Sequence, residues 1–143
     1  MSEENVGIVR QATEAAQAAL QGALEGGDPG AWFDSEFVAE DYEWVVAGLA
    51  QERTVYRGRE GFVEFWNSFI EDFEGWSIRL ERFIDGGDNT VVVVIHQQAT
   101  GKTSGAQVEW RSGQVHEVED GQVIRARNYA TPAEALEAAG LSE

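Results

Sequence analysis

Residues 90–130 read TVVVVIHQQATGKTSGAQVEWRSGQVHEVEDGQVIRARNYA. Three strand-like runs stand here in a row, joined by GKTSG and EDG, segments rich in residues that make tight turns. Upstream, WSIRLERFI and the turn segment DGGDN add a fourth run. Short connections between long runs predict an antiparallel meander. Its second strand opens with five β-branched apolar residues, Val91 to Ile95, and passes without a break into His96, Gln97 and Gln98. Side chains alternate along a strand, so Val92, Val94, His96 and Gln98 share one face and Val91, Val93, Ile95 and Gln97 the other. Two readings of the polar tip stand open: the strand runs out into solvent near Gly101, or it forms the polar end of a mostly apolar pocket.

Outward from the meander, the sequence reads as helix. Residues 3–25 are rich in Ala, Leu, Gln and Glu and stop at Gly26-Gly27, which predicts a long first helix. Asp28-Pro29 offers an N-cap and a first-turn proline for a short helix carrying Trp32 and Phe33. DYEWVVA alternates as a strand, with Tyr42, Trp44 and Val46 on one side, and the polar turn GLAQERT follows. In REGFVEFWNSFIEDFEG, residues Phe62, Phe65, Trp66, Phe69, Ile70 and Phe73 fall three and four apart, one broad apolar helix face that reads as core. Thr131, Pro132 and Glu134 make a capping-box start for a last helix ending at Gly140. Helices first and consecutive strands afterwards give an α+β domain, its helices on one face of a curved antiparallel sheet.

The bulk composition narrows the function. The chain has 143 residues, the size of one domain, and 26 acidic against 10 basic residues, a formal charge of −16. Such a surface repels phosphate backbones and anionic lipids, so neither nucleic acid nor a membrane is an expected partner. Without cysteine there is no disulfide framework or thiolate chemistry, and the first ten residues lack a basic segment followed by an apolar run, so a cytoplasmic location is expected. Two histidines far apart in sequence give no metal set. GKT at 101–103 is not a phosphate loop, because His96 stands where its first glycine is required and a hairpin replaces the strand-to-helix turn.

The order of elements, together with YRGREGFVEFW (56–66), VEWRSGQVHEVEDGQVIR (108–125) and TPAEALEAAGL (131–141), resembles the nuclear transport factor 2-like superfamily, specifically its SnoaL-like polyketide cyclase branch. The resemblance spans nearly the whole chain. It implies a single SnoaL-like domain over residues 1–143, a cystatin-like, cone-shaped fold enclosing a deep cavity, and a homodimer formed through the outer face of the sheet. That superfamily hosts enzymes and non-catalytic binders alike, so function has to come from the site.

Compared with the limonene epoxide hydrolases, ARNYAT occupies the place of the terminal-strand motif: Arg127 and Tyr129 match, but the carboxylate falls on Asn128, which does not titrate. The Arg-x-Asp pair of that family falls on His96 and Gln98, and its water-holding tyrosine on Tyr42. The acid and histidine of the SnoaL-like cyclases correspond to Asn128 and Gln114, and the first helix lacks the tyrosine of ketosteroid isomerases. The face the superfamily turns inward adds Trp44, Val92, Val94, Trp110, Ser112 and His116 to the expected cavity wall, a largely aromatic surface with a few polar groups. The reading is a small-molecule-binding protein for a polyketide- or terpene-like compound. It is an isomerase, cyclase or hydratase if His96 serves as a base, with Tyr42, Trp44, Gln98, Trp110, Gln114, His116 and Asn128 touching the ligand and no cofactor or metal. His96 is also open to a role as binding anchor, or as a satisfied or partly exposed structural imidazole. The rival reading is a non-catalytic module whose cavity its own tryptophans fill.

Overall fold

The computed structural model describes residues 2–46 and 55–141. The expected turn GLAQERT (48–54) lies outside the described residues. Helix α1 (Ser2–Ala23) is followed by a single 3-10 turn (Ala31–Asp34), then β1 (Val38–Val46), β2 (Val55–Arg57) and α2 (Gly58–Ile70). Four long strands come next, β3 (Phe73–Gly87), β4 (Thr90–Gly101), β5 (Gln107–Glu119) and β6 (Gln122–Tyr129), and α3 (Pro132–Ala138) follows them.

One six-stranded sheet runs in the order β2-β1-β6-β5-β4-β3. Strands β3 to β6 are the antiparallel meander that the turn residues predict. Two of its hairpins close on two-residue turns with left-handed backbone, at Asp88-Asn89 (φ 49° and 62°) and Asp120-Gly121 (φ 52° and 79°). That handedness matches the twist of the flanking strands, and Asp, Asn and Gly tolerate it best. One junction departs from the expected all-antiparallel sheet: β1 lies parallel to β6, with Trp44 opposite Ala126 and Val46 opposite Asn128.

The other departures are local. Asp28 and Pro29 do not cap the short helix; Asp28 Oδ1 instead accepts from Gly30 N–H at 2.8 Å, an Asx turn, and Gly30 is the N-cap. Helix α2 stops at Ile70, so Phe73 opens β3 and reaches the core from a strand. At α3 the side chain of Thr131 does accept from Glu134 N–H, at 3.2 Å.

Two apolar clusters sandwich the sheet. The larger lies between its inner face and α1 and α2, and includes Trp32, Tyr42, Trp44, Phe62, Trp66 and Val93. The smaller lies on the outer face, where Ala135 and Leu136 of α3 cover Val92 and Val115. Close approach there depends on Gly113: a Cβ at that position would stand 2.5 Å from Cβ of Ala135. Burying each large apolar side chain contributes about 1.5–3 kcal/mol before entropy is counted. The aromatic inner face of α2 is therefore a main source of stability, and its packing leaves space along the sheet.

Candidate functional site

Between α1, α2 and the inner face of the sheet lies a cavity of about 260 Å³, just below the ~300–1,000 Å³ usual for small-molecule sites. All five tryptophans of the chain, Trp32, Trp44, Trp66, Trp76 and Trp110, line it. Through Phe62, Phe65, Phe69 and Phe73 their rings join in one continuous chain of contacts. Trp32 meets Phe62 edge-on at 5.0 Å, Phe62 meets Trp44 at 5.8 Å, and Trp66 meets Trp76 at 5.0 Å. Such tilted and edge-to-face pairs are the arrangements that aromatic quadrupoles favour. Strand alternation puts these rings inward: Trp44 follows Tyr42 on β1, and Trp110 begins the series Trp110, Ser112, Gln114 and His116 on β5.

Polar groups reach the cavity at two places. At one, the sheet register sets Gln114 directly opposite Asn128, and His116 Nε2 is 2.7 Å from Gln114 Oε1. Asn128 is half-buried and makes no side-chain hydrogen bond among the described residues. At the other, Trp76 Nε1 donates to Gln97 Oε1 at 2.9 Å and Gln97 Nε2 to Ser112 Oγ at 3.1 Å. Helix α1 adds Thr13 and Gln17, the latter donating to the Ile78 carbonyl at 2.9 Å. Among the described residues no Asp, Glu, Lys or Arg lines the cavity. Desolvation acts accordingly on two titratable rings of the wall: it pushes the His116 imidazole down to about 3 and raises the Tyr42 phenol well above its ordinary value. Both are neutral at pH 7, and so is the wall.

Tyr42, Trp44, Trp110, Gln114, His116 and Asn128 are thus brought together at the cavity; His96 and Gln98 are not. The cavity-facing side of β4 is the other one, carrying Val91, Val93, Ile95 and Gln97. Val92 and Val94, also expected inside, point outward with His96. The cause is α3, whose packing on the outer face buries Val92 as completely as its neighbours, so an unbroken apolar run gives no sign of which phase faces the cavity. His96 lies across from Arg111 and Arg79, with Nε2 2.6 Å from Glu109 Oε1, and is 6% exposed. A base for chemistry inside the cavity cannot be drawn from that position. Gln97 and Gln17 were missed for related reasons: Gln97 falls in the rejected phase, and Gln17 looks like any polar residue of an amphipathic helix.

The outer face is a charged lattice. Arg125 spans Glu43 and Glu117 at 2.9 and 3.1 Å, and Arg111 holds Glu81 at 2.7 Å. These guanidinium groups keep the Glu43 and Glu81 carboxyls below their ordinary range, mainly through the hydrogen bonds from Arg125 and Arg111. Among the described residues no group of His, Cys, Asp and Glu is placed to hold a metal, and no helix is long and apolar enough to cross a membrane.

Solved structures with the same architecture share little sequence with the chain. A protein from Jannaschia sp. CCS1 named as a SnoaL-like polyketide cyclase superposes with a TM-score of 0.68 at 18% identity, over 90% of this chain and 86% of that one. An NTF2-like protein from Anabaena variabilis gives a TM-score of 0.68 at 20% identity, covering 90% of each chain. TerC, crystallised with polyporic acid, gives 0.64 at 20% identity, over 91% of this chain and 98% of that one. At these identities the likeness is one of fold. No curated protein matches in sequence. The sequence profile of the SnoaL-like domain, however, matches residues 16–126, a span that runs from the second half of α1 into β6 and takes in most of the cavity wall, stopping short of Asn128. The chain belongs to the SnoaL-like domain family, within the nuclear transport factor 2-like fold.

Proposed function

We propose that this chain binds an uncharged, mainly apolar small molecule, of the polyketide- or terpene-like kind, inside its aromatic cavity, and that the whole of residues 1–143 serves as one domain for that purpose. The observation that carries the reading is a 260 Å³ space walled by all five tryptophans with no charged side chain among the described lining residues. A charged ligand would be stripped of water there without a counter-charge, which is costly, whereas a planar apolar one gains ring contacts. The fold relative TerC, crystallised with polyporic acid, supports a cyclic compound as the class to try first. The rival module with a self-filled cavity is disfavoured by the same volume.

His116, Gln114 and Asn128 act in this reading as positioning groups. A general base works best when its pKa lies near the operating pH. An imidazole held down at about 3 is a poor proton acceptor at neutrality, and the Tyr42 phenol keeps its proton there. Binding and orientation are accordingly the role we assign, ahead of isomerisation, cyclisation or hydration. We also infer a homodimer through the charged outer face, on which Arg111, Arg125, Arg127 and Tyr129 lie.

Incubating the protein with a metabolite extract, removing unbound material and identifying retained compounds by mass spectrometry tests the binding role. Retained compounds should be neutral and unsaturated, near one per chain, and should shift the tryptophan emission. Retention of nothing, with emission unmoved, would refute it.

A further inference from the structure

An indole N–H only donates, so the 2.9 Å contact from Trp76 Nε1 fixes the Gln97 amide with its oxygen toward Trp76. Gln97 Nε2 is then the atom 3.1 Å from Ser112 Oγ. An amide nitrogen donates, so the serine oxygen is the acceptor and the serine proton has to go elsewhere. Ser112 is 2% exposed, and among the described residues its hydroxyl donates to no acceptor. It lines the cavity beside Trp110, which stands opposite Gln97 in the sheet and whose own N–H has no acceptor among the described residues.

We propose that Ser112 is a specificity-determining hydrogen-bond donor, and that the ligand carries an acceptor oxygen of carbonyl type directed at it. The relay runs in one direction, from Trp76 to Gln97 to Ser112 to ligand. Trp76 and Gln97 are positioning residues: by fixing the amide they prevent Ser112 from spending its proton on Gln97. A ligand without an acceptor leaves a buried hydroxyl unpaired, which is how a site built to make a hydrogen bond rejects a hydrocarbon of the same shape. This inference rests on the reading of the cavity as a ligand site.

Three tricyclic compounds of nearly one shape test it: fluorene with no polar group, 9-fluorenone with an acceptor, and carbazole with only a donor. Their dissociation constants are measured by tryptophan fluorescence and calorimetry. Fluorenone should bind on the order of fivefold tighter than fluorene, the value of one net hydrogen bond, and carbazole no tighter than fluorene. Ser112→Ala should erase the fluorenone preference without weakening fluorene, while Ser112→Thr, which keeps the hydroxyl, should retain it. Trp76→Phe should reduce the fluorenone-to-fluorene ratio, because the freed Gln97 amide then turns its oxygen to Ser112. Equal binding of fluorenone and fluorene, or a preference that survives Ser112→Ala, overturns the proposal while leaving the cavity as a ligand site. Failure of all three to bind overturns the ligand-site reading and this one with it.

Discussion

His116 should make the protein acid-sensitive in a way a single substitution removes. Its imidazole is 4% exposed, and desolvation lowers it from 6.5 to about 3. Between those two values the unfolded chain carries a proton at this site that the folded chain refuses, so stability falls as the pH falls through the window. The contribution is fully present above about pH 6.5, declines by about 1.4 kcal/mol for each unit below it, and levels off near the folded value. At pH 4.5, two units into the window, this one ring should cost roughly 3 kcal/mol, a substantial share of the ~5–15 kcal/mol that holds most domains together. Urea denaturation followed by tryptophan fluorescence at pH 7.5, 6.0, 5.0 and 4.5 measures the loss. The acidic residues contribute their own slope, so the informative quantity is the difference between the wild-type chain and His116→Gln. The variant should be less stable than wild type or close to it at pH 7.5, and should gain on it by roughly 3 kcal/mol by pH 4.5. Parallel curves for the two proteins would refute the assignment of a buried neutral imidazole.

Three further outcomes are expected. Gly113→Ala should destabilise by about 1–3 kcal/mol, because its methyl would stand 2.5 Å from Ala135 Cβ and 3.1 Å from Pro132 Cα, forcing α3 off the sheet; thermal denaturation and faster amide exchange in residues 132–138 report it. Thr131→Ala should cost about 1 kcal/mol through loss of the cap to Glu134, measured by urea denaturation. His96→Gln should leave the affinity for any cavity ligand within about twofold, since its partner is Glu109 on the outer face; a large loss of affinity would contradict the side of β4 described above. A single-chain mass by light scattering at micromolar concentration would dispose of the homodimer.

Where a strand alternates between charge and bulk, the sequence discloses its inner face. On β5, Glu109, Arg111 and Glu117 interleave with Trp110, Ser112, Gln114 and His116, and only one phase can face an apolar interior. On β4 the two phases are equally apolar from Val91 to Ile95, and the choice between them is made by α3, whose docking on Val92 and Val115 depends on Gly113, a residue that reads as an ordinary strand glycine. The local pattern therefore does not show that Gln97, and not His96 or Gln98, faces the cavity. Phe73 deceives for a different reason: its spacing continues the helical face of α2, although the helix ends at Ile70 and the strand backbone turns at Gly75, with φ 62°. Turn chemistry at Asp88-Asn89 and Asp120-Gly121 was local and therefore legible, whereas the parallel pairing of β1 with β6 is a long-range choice with no local signature.

That parallel pairing has a kinetic consequence. Strand β1 carries Tyr42 and Trp44 but has only the three-residue β2 and the distant β6 as neighbours, so Val45 waits for Arg127 and Val46 for Asn128. On a ribosome, Tyr42 and Trp44 can meet Trp32 and the rings of α2 early, but one backbone edge of β1 keeps its N–H and C=O groups unpaired until β6 is complete. Closing so long a loop late in synthesis slows folding and lengthens the time during which an unpaired strand edge is open to other chains. Fragments that stop short of residue 122 should therefore aggregate through that open edge more readily than the full chain, a consequence of one strand's choice of neighbour.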